Sequence, residues 1–493
     1  MPRPSWVFAS KAIKEGTLTV LQMDAFQALS RLYEVAVELQ STGDVDLVDA
    51  NLDALMLHPA HVGNTPAGGE KIWGVLRSIE LLTSVGTAMP VYRAVLVPRL
   101  WSATLVHRSR VFQDTTVPMI VRIVLRGLGF HEDTDFRVEV GDYRRREYTV
   151  QYEESDYAFM GRLLEDEGIA FRFEHGRDHE TVVFTDSNLG MRMPPSCKHV
   201  VYRDGSSVEE GVVTALTRKR TIVPLSVQLV DYDWRKPDVG LVATFPVHER
   251  SRPAISTTAD HYLDSNFGSR LARIRAEERL VERDVWRLQS TVPELCAGDI
   301  FGLDMPVRRA AATDLHHDHP AIHGEYLVVE LRKRVDQRSQ QESTAERREE
   351  RDDVVAIRAD VTYRPPRTTP KPRIDGLLYA WIDGVELGTP APIDPHGCYK
   401  VVLPFDPVPK DAGRASRWIR MAQPLAGPGV GMHFPLHEGT EVVLAHVQGD
   451  PDRPLIVGAV SNARTPSTVT SANPTQSVIR TYTGITMEFE DDA

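Results

Sequence analysis

Short apolar runs that alternate with polar residues dominate the pattern along this chain. Residues 91–97 and 101–106 are rich in β-branched and aromatic side chains and lie beside prolines, which predicts strands. In residues 399–405 the odd positions are large and apolar, as expected of a half-buried strand. We therefore predict a mainly β protein of the α+β type, with a few helices packed among the strands.

Three segments have apolar residues at helical spacing instead. The first begins at Thr115–Thr116, with a proline in its first turn, and stops at two glycines. The second begins at Ser155–Asp156 and ends near Gly168, and the third runs from about residue 264 to residue 284. These patterns predict amphipathic helices that bury one face.

Two polar stretches indicate boundaries. Residues 335–353 form a mixed-charge run with few apolar anchors, and we expect a solvated, flexible loop there. Residues 363–373 hold four prolines. Because prolines leave few backbone donors, this stretch predicts an extended, semi-rigid connector.

After the connector, short strand candidates recur at regular intervals. They are separated by Gly, Pro and Asp turns and comprise residues 377–382, 399–405, 418–423, 441–447 and 455–460. Short strands at this spacing suit a small barrel such as the OB-fold. Residues 485–490 alternate again, but such a strand has open edges and needs copies of itself or more chain.

Length, charge and cysteine usage restrict the class of protein. The chain has 493 residues, which suggests about two to four domains, and its net charge of −12 argues against binding to nucleic-acid backbones. Three widely spaced cysteines fit a reducing compartment of synthesis rather than a disulfide framework. We find no apolar run of signal-peptide or membrane-span length, so we expect a soluble protein without a cleaved signal.

The residues that could carry chemistry form no catalytic motif. We find no G-x-S-x-G elbow, H-E-x-x-H motif or Walker loop. The most metal-like feature is a histidine-rich run, whose candidate zinc ligands are His316, His317, His319 and His323. An exposed polar loop explains the same run, so we expect neither metal nor cofactor. The acidic run at residues 165–167 imitates a glycosidase pair, but we expect it to be a solvated helix face.

Two stretches are specific enough to indicate a family. The first is residues 151–173, with the sequence QYEESDYAFMGRLLEDEGIAFRF. The second extends from YRPPR at 363–367, through the barrel candidates, to GDPDRPLIVG at 449–458. Both resemble the VgrG proteins, the valine-glycine repeat spikes of bacterial type VI secretion, which are related to phage tail hub and spike proteins. The resemblance covers nearly the whole chain and is most specific at residues 449–458.

The resemblance implies a fold and a domain order. We expect a phage-tail-hub-like region with two β-barrel subdomains over residues 1–360, followed by a proline-rich linker over 361–373. An OB-fold barrel over 374–462 and the first strands of a trimeric β-helical needle over 463–493 complete the expected order. Since the family usually continues into a long stalk, we expect a chain that is either naturally short or shortened.

The resemblance also implies a structural role without turnover. A homotrimer of this family caps the hexameric tube of Hcp protein, punctures a target membrane when the sheath contracts, and carries effectors, adaptor proteins or a PAAR-repeat tip. Baseplate components are further expected partners. The expected location is the bacterial cytoplasm during assembly and the outside or a target cell after injection. The alternatives are the hub-spike of a phage tail or other contractile injection particle, and a zinc hydrolase.

The candidate site residues are structural positions of the barrel. Four glycines are expected to set turns with positive φ, namely Gly397, Gly431, Gly439 and Gly458. Three large side chains are expected to fill the barrel core, namely Phe405, Trp418 and Leu455. Asp450 and Pro451 complete the set because they lie in the motif most specific for the family's barrel.

Overall fold

A computed structural model divides the chain into two compact units. The structure describes residues 6–13, 16–41, 55–56, 58–64, 70–82, 90–203, 211–249, 251, 254–258, 262–304, 322–337, 351–406 and 413–491. The large unit comprises residues 1–106, 117–143 and 156–369, and the small unit comprises residues 107–116, 144–155 and 370–493.

Two closed six-stranded barrels form the centre of the large unit. The first consists of β1 (Trp6–Ser10), β2 (Leu18–Ala28), β3 (Glu34–Ser41), β4 (Ala60–Asn64), β5 (Lys71–Leu82) and β6 (Val91–Val97). The second consists of β12 (Val200–Tyr202), β13 (Val212–Arg220), β17 (Asp284–Ser290), β18 (Ile300–Asp304), β19 (Gly324–Asp336) and β20 (Arg351–Arg358). Strands β2 and β19 pair antiparallel, so one continuous sheet runs through both barrels. The two-barrel expectation is confirmed.

Alternating burial explains why these strands close into barrels. In β3 every second residue is buried, and its inward Val35, Val37 and Leu39 join the core of the first barrel. In the second barrel the ring of Tyr326 packs edge-to-face on Trp286 at 5.4 Å and stacks on Phe301 at 5.6 Å.

The three predicted helices are present in the large unit. They are α1 (Val117–Gly127), α2 (Asp156–Glu167) and α3 (Ser265–Val281). The Asp264 carboxylate caps α3 by accepting a hydrogen bond from the Phe267 N–H at 2.8 Å. Among the described residues, no helix combines the length and hydropathy that crossing a bilayer requires.

Two smaller sheets complete the large unit. One contains β8 (Phe136–Glu139), β10 (Ala170–His175) and β11 (Glu180–Thr185), with β11 in the middle. The other contains β14 (Ser226–Asp231), β15 (Leu241–Pro246) and β16 (Ile255–Thr258), and α3 packs on it through an apolar cluster that includes Leu271, Leu229 and Leu241.

The small unit contains a small barrel, two hairpins and a ribbon. The barrel sheet has the order β22 (Val401–Val402), β21 (Leu378–Ile382), β25 (Glu441–His446) and β26 (Pro454–Ala459). The first hairpin is β7 (His107–Thr115) with β9 (Arg146–Ser155), and the second is β27 (Gln476–Arg480) with β28 (Thr486–Glu490). The ribbon is β23 (Ala426–Gly427) with β24 (Val430–Gly431).

Several sequence-based strand boundaries are wrong. Residues 101–106 are not a strand, because Arg99–Thr104 forms a 3₁₀ helix after Pro98, with Leu100 and Ala103 buried three residues apart. Of the segment 418–423, Ile419 and Met421 make only isolated bridges, to Tyr399 and to Ile456. These bridges join the two edges of the four-stranded sheet, so the segment takes the place of the expected fifth strand.

Both ends of the polar run predicted as a loop over 335–353 lie in strands. Strand β19 continues to Asp336 and β20 begins at Arg351, and these antiparallel strands bury Val335 and Asp352. Only residues 338–350 of the run lie outside the described residues. The sequence misses this extension because Asp336, Asp352 and Asp353, which lie in the strands, have the polarity of loop residues.

Candidate functional site

The motif at residues 449–458 forms a polar node in the small unit. The ammonium of Lys371 pairs with Asp450 at 2.6 Å and with Asp452 at 2.7 Å. The second carboxylate oxygen of Asp452 accepts a hydrogen bond from the backbone N–H of Val150, in β9, at 2.6 Å. The node therefore holds the proline-rich connector, the small barrel and the β7–β9 hairpin together.

A tight turn between β25 and β26 positions these carboxylates. Gln448 and Gly449 both have positive φ, at 57° and 74°, which the glycine adopts without steric cost. The Asp450 carboxylate accepts a hydrogen bond from the Asp452 N–H at 2.9 Å, and Pro451 is buried between them. At the end of β25, burial lowers the pKa of His446, although Asp450 and Asp452 oppose that shift.

The β7–β9 hairpin completes the core of the small barrel. Tyr148 and Val150 are buried in the cluster that contains Tyr399, Val401 and Ile456. Burial raises the pKa of Tyr148 well above its ordinary value. The expected hub over 1–360 included residues 107–116 and 144–155, because nothing in the local pattern shows which core a hairpin joins.

The side chains that fill the small barrel differ from the expected three. Trp418 is 37% exposed and lies under the ammonium of Lys400 at 4.8 Å, so its expected core role is wrong. Phe405 and Leu455 are half-buried. The inward residues next to Trp418 and Leu455 are Ile419 and Ile456, both buried, because the alternation in these two segments starts one residue later than expected.

The four barrel glycines separate into two pairs. Gly397 and Gly439 have φ of 79° and 80°, the conformation expected of them. Gly431 lies in β24 and Gly458 in β26, and neither has a positive φ, so the expected turn role is wrong for these two.

The β27–β28 hairpin presents one apolar face to its surroundings. Phe489 lies opposite Ser477, and Met487 lies opposite Ile479. The exposed fractions are 57% for Phe489, 56% for Met487 and 45% for Ile479. The other face carries Gln476, Val478, Arg480, Thr486, Glu488 and Glu490. A two-stranded hairpin with one open apolar face has too little buried surface to be stable alone.

The small barrel also exposes large apolar side chains. Leu377, Tyr379 and Trp381 point outwards along β21 and the residue before it. In and beside the β23–β24 ribbon, the exposed side chains are Leu425, Val430, Met432 and Phe434. The sequence predicts a strand over residues 377–382, but it does not show which of its side chains lie outside the core.

The candidate metal ligands do not assemble a site in the described part of the chain. His316, His317 and His319 lie outside the described residues, and His323 is an exposed side chain whose Nδ1 lies 3.4 Å from Asp304. Within the described ranges, no group of three or more His, Cys, Asp or Glu side chains could hold a metal ion.

The acidic run at residues 165–167 is not the solvated face that we expected. Glu167 is 2% exposed and pairs with Arg270 at 3.3 Å, and Asp166 pairs with Arg275 at 2.5 Å. Glu165 accepts hydrogen bonds from Thr369 in the connector. The run is covered by α3 and the connector, and it positions these elements.

Family models match both units. The model described as phage tail baseplate hub (GPD) matches residues 27–339. The model described as type VI secretion system/phage-baseplate injector OB domain matches residues 394–460.

Curated relatives cover most of this chain but are longer. The type VI secretion system spike protein VgrG4b of Pseudomonas aeruginosa is 29% identical over 476 residues, which is 94% of this chain and 57% of that protein. VgrG1c of the same organism is 29% identical over 93% of this chain and 62% of its own length. The actin cross-linking toxin VgrG1 of Vibrio cholerae is 28% identical, and the match covers 86% of this chain and 38% of that toxin.

Solved structures share the fold. An E. coli type VI secretion component, described as structurally similar to the T4 bacteriophage tail proteins gp27 and gp5, matches with a TM-score of 0.65 and 22% identity over 92% of this chain and 99% of that chain. The Francisella PdpA-VgrG complex in its lidded form matches with a TM-score of 0.61 and 8% identity over 97% of this chain and 73% of that chain. With two linked barrels in the large unit and a hub model that matches more than half of the residues, the chain belongs to the phage tail baseplate hub (GPD) family.

Proposed function

We propose that the chain is the spike subunit of a bacterial type VI secretion system and works as a homotrimer. The observation that carries this proposal is the open apolar face of the β27–β28 hairpin. Its strands also have unpaired outer edges among the described residues. Three copies around one axis would cover the apolar faces and pair the edges, which supplies the buried surface that one hairpin lacks.

The large unit supports a docking role for the spike. Each chain carries two six-stranded barrels, so a trimer would present six barrels around its axis. Such a ring matches the symmetry of a hexameric Hcp tube, which we propose as the ligand of the hub. Force from sheath contraction would then pass from the tube, through the barrels, to the needle.

The remaining assignments follow the relatives that are named spike proteins. We infer assembly in the cytoplasm, expulsion by the injection machine, brief contact with a target membrane, and effectors, adaptors, baseplate proteins or a PAAR-repeat tip as partners. We also infer a structural rather than catalytic role. The match to the actin cross-linking toxin covers 38% of that protein and therefore assigns no activity to this chain.

Oligomeric state tests the proposal directly. By light scattering after size exclusion, we expect the wild-type chain to have three times the mass of one chain. The double variant M487D/F489D places charges on the apolar face and should dissociate, whereas the control T486D changes the polar face and should stay trimeric. A monomeric wild type, or equal masses for both variants, would contradict the proposed interface.

A further inference from the structure

A buried polar cluster in the large unit fastens the tip of the β10–β11 hairpin to the first barrel. Tyr33 is 1% exposed and follows β2, and its hydroxyl lies within hydrogen-bond distance of both the Trp73 carbonyl and the Glu180 carboxyl group. The other carboxyl oxygen of Glu180 accepts a hydrogen bond from the Arg99 N–H at 2.5 Å. The spike assembly proposed above does not use this cluster.

Trp73 is held by the same hairpin tip, which we define as residues 175–180. Its backbone N–H donates to Nδ1 of His175 at 3.2 Å, and its indole N–H donates to the Gly176 carbonyl at 3.0 Å. The ammonium of Lys71 donates to the Arg177 carbonyl at 3.4 Å. Contact between the tip and β5 therefore depends on a few polar groups rather than on a strand ladder.

The hydrogen bonds of Tyr33 indicate the protonation state of Glu180. The Tyr33 hydroxyl has one hydrogen but faces two oxygens, the Trp73 carbonyl and the Glu180 carboxyl group. The carbonyl only accepts, so Tyr33 must donate to it. The contact between Tyr33 and Glu180 is then a hydrogen bond only when Glu180 carries the proton and donates it, since an ionised carboxylate would face the lone pairs of the hydroxyl.

The charged groups around the cluster do not compensate an ionised Glu180. The guanidinium of Arg99 pairs with Asp135 at 3.2 Å, Lys71 lies over the Trp73 ring at 5.6 Å, and Arg77 pairs with Glu34 at 2.7 Å. His175 accepts at Nδ1, and burial, with a smaller effect of Arg192, lowers its pKa to about 4, so it stays neutral. The ring of His61 lies 4.3 Å from the Trp73 ring and is tilted by 42° against it. None of these side chains forms a described ion pair with Glu180.

We propose that Glu180 is a neutral carboxylic acid that clips the hairpin tip to the first barrel, and that loss of its proton opens this contact. Burial raises the pKa of Glu180 from 4.5 to about 8, while the Arg99 N–H acts in the opposite direction. The folded pKa lies above the unfolded one, so the clip is fully stable below pH 4.5 and weakens as the pH rises towards 8. The large unit thus contains a switch that closes in acid and opens in mild alkali.

Hydrogen exchange of the full chain tests the clip. With pKa values of 4.5 in the open and about 8 in the closed form, the opening equilibrium should rise about 50-fold between pH 6 and pH 8. After correction for intrinsic exchange, we expect this change in peptides that contain Trp73 and residues 175–185. In E180Q the amide donates to Tyr33 and accepts from Arg99 without titrating, so protection should not depend on pH. The control E249Q removes an exposed carboxylate and should behave as wild type.

Infrared difference spectra supply a second readout that needs no opening. Subtracting the E180Q spectrum from the wild-type spectrum at pH 6 should reveal the carbonyl band of one neutral carboxylic acid, and at pH 9 the band of a carboxylate. An ionised Glu180 at pH 6 would overturn the proposal. So would equal pH dependence of exchange in wild type and E180Q.

Discussion

The two units differ in which side chains they bury and which they expose. The large unit closes its main strands into two barrels and buries ion pairs, such as Lys333 with Glu70 at 2.5 Å and with Asp352 at 3.8 Å. The small unit exposes most of the large apolar side chains that are exposed in the described part of the chain. Its ion-pair node at Lys371 is partly open to solvent.

This difference shows what each unit requires from outside. A closed barrel satisfies its backbone donors and acceptors within one chain. The small unit instead takes a hairpin from a distant part of the sequence for its core, and it leaves an apolar hairpin uncovered. The two barrels of the large unit therefore close within one chain, whereas the hairpin of the small unit leaves the apolar face and the strand edges that the proposed trimer would cover.

Removing the β7–β9 hairpin should have the largest effect on the stability of the small barrel. A fragment of residues 370–493 lacks buried Tyr148 and Val150 and leaves Asp452 without the Val150 donor. Two lost core side chains cost about 5–10 kcal/mol, which is the whole stability of an ordinary small domain. We expect no cooperative unfolding transition by circular dichroism.

The matched control for this fragment restores the hairpin. Adding a peptide in which residues 107–116 are joined to residues 144–155 by a glycine-rich loop should restore a cooperative transition. A fragment that unfolds cooperatively without the peptide would show that the small barrel is independent, and the contrast between the units would then be smaller.

Replacing the lysine at the centre of each ion-pair group, Lys333 in the large unit and Lys371 in the small unit, should lower the free energy of unfolding by unequal amounts. Lys333 is 7% exposed, so K333M leaves buried carboxylates uncompensated and should cost about 3–5 kcal/mol. Lys371 is 36% exposed, so K371M should cost only about 1 kcal/mol. Denaturant unfolding of the full chain measures both, and equal losses would mean that water screens both nodes alike.

The smallest expected change in stability comes from alanine substitutions at two of the barrel glycines, Gly397 and Gly458. Gly397 has a positive φ and open space around it, so G397A should cost about 1 kcal/mol through backbone strain alone. Gly458 has no positive φ, and a Cβ added there would meet no other atom within 4 Å. We therefore expect G458A to change the free energy of unfolding by less than about 0.5 kcal/mol. Thermal unfolding of the two variants gives the comparison, and a larger loss for G458A would contradict the assignment.

Sequence reasoning succeeded where local rules decide the outcome. The three helices lie at their predicted positions because helical spacing marks all three and glycines mark the ends of the first two. Alternation in residues 399–405 correctly placed Tyr399, Val401 and Leu403 inside. It failed at Trp418 and Leu455, where a shift of one residue exchanges the two faces of a strand and side-chain size alone does not set the register.

The sequence by itself determined the β class, the helices and the family, and it predicted that the strand at residues 485–490 needs copies of the chain or more chain. Only the tertiary structure decided that residues 107–116 and 144–155 contribute a hairpin to the small barrel, that Asp452 links three segments, and that Glu180 contacts Tyr33. The physical reason is separation along the chain. Periodicity and capping act over a few residues, whereas these contacts join residues 81 or more positions apart, and only packing brings such groups together.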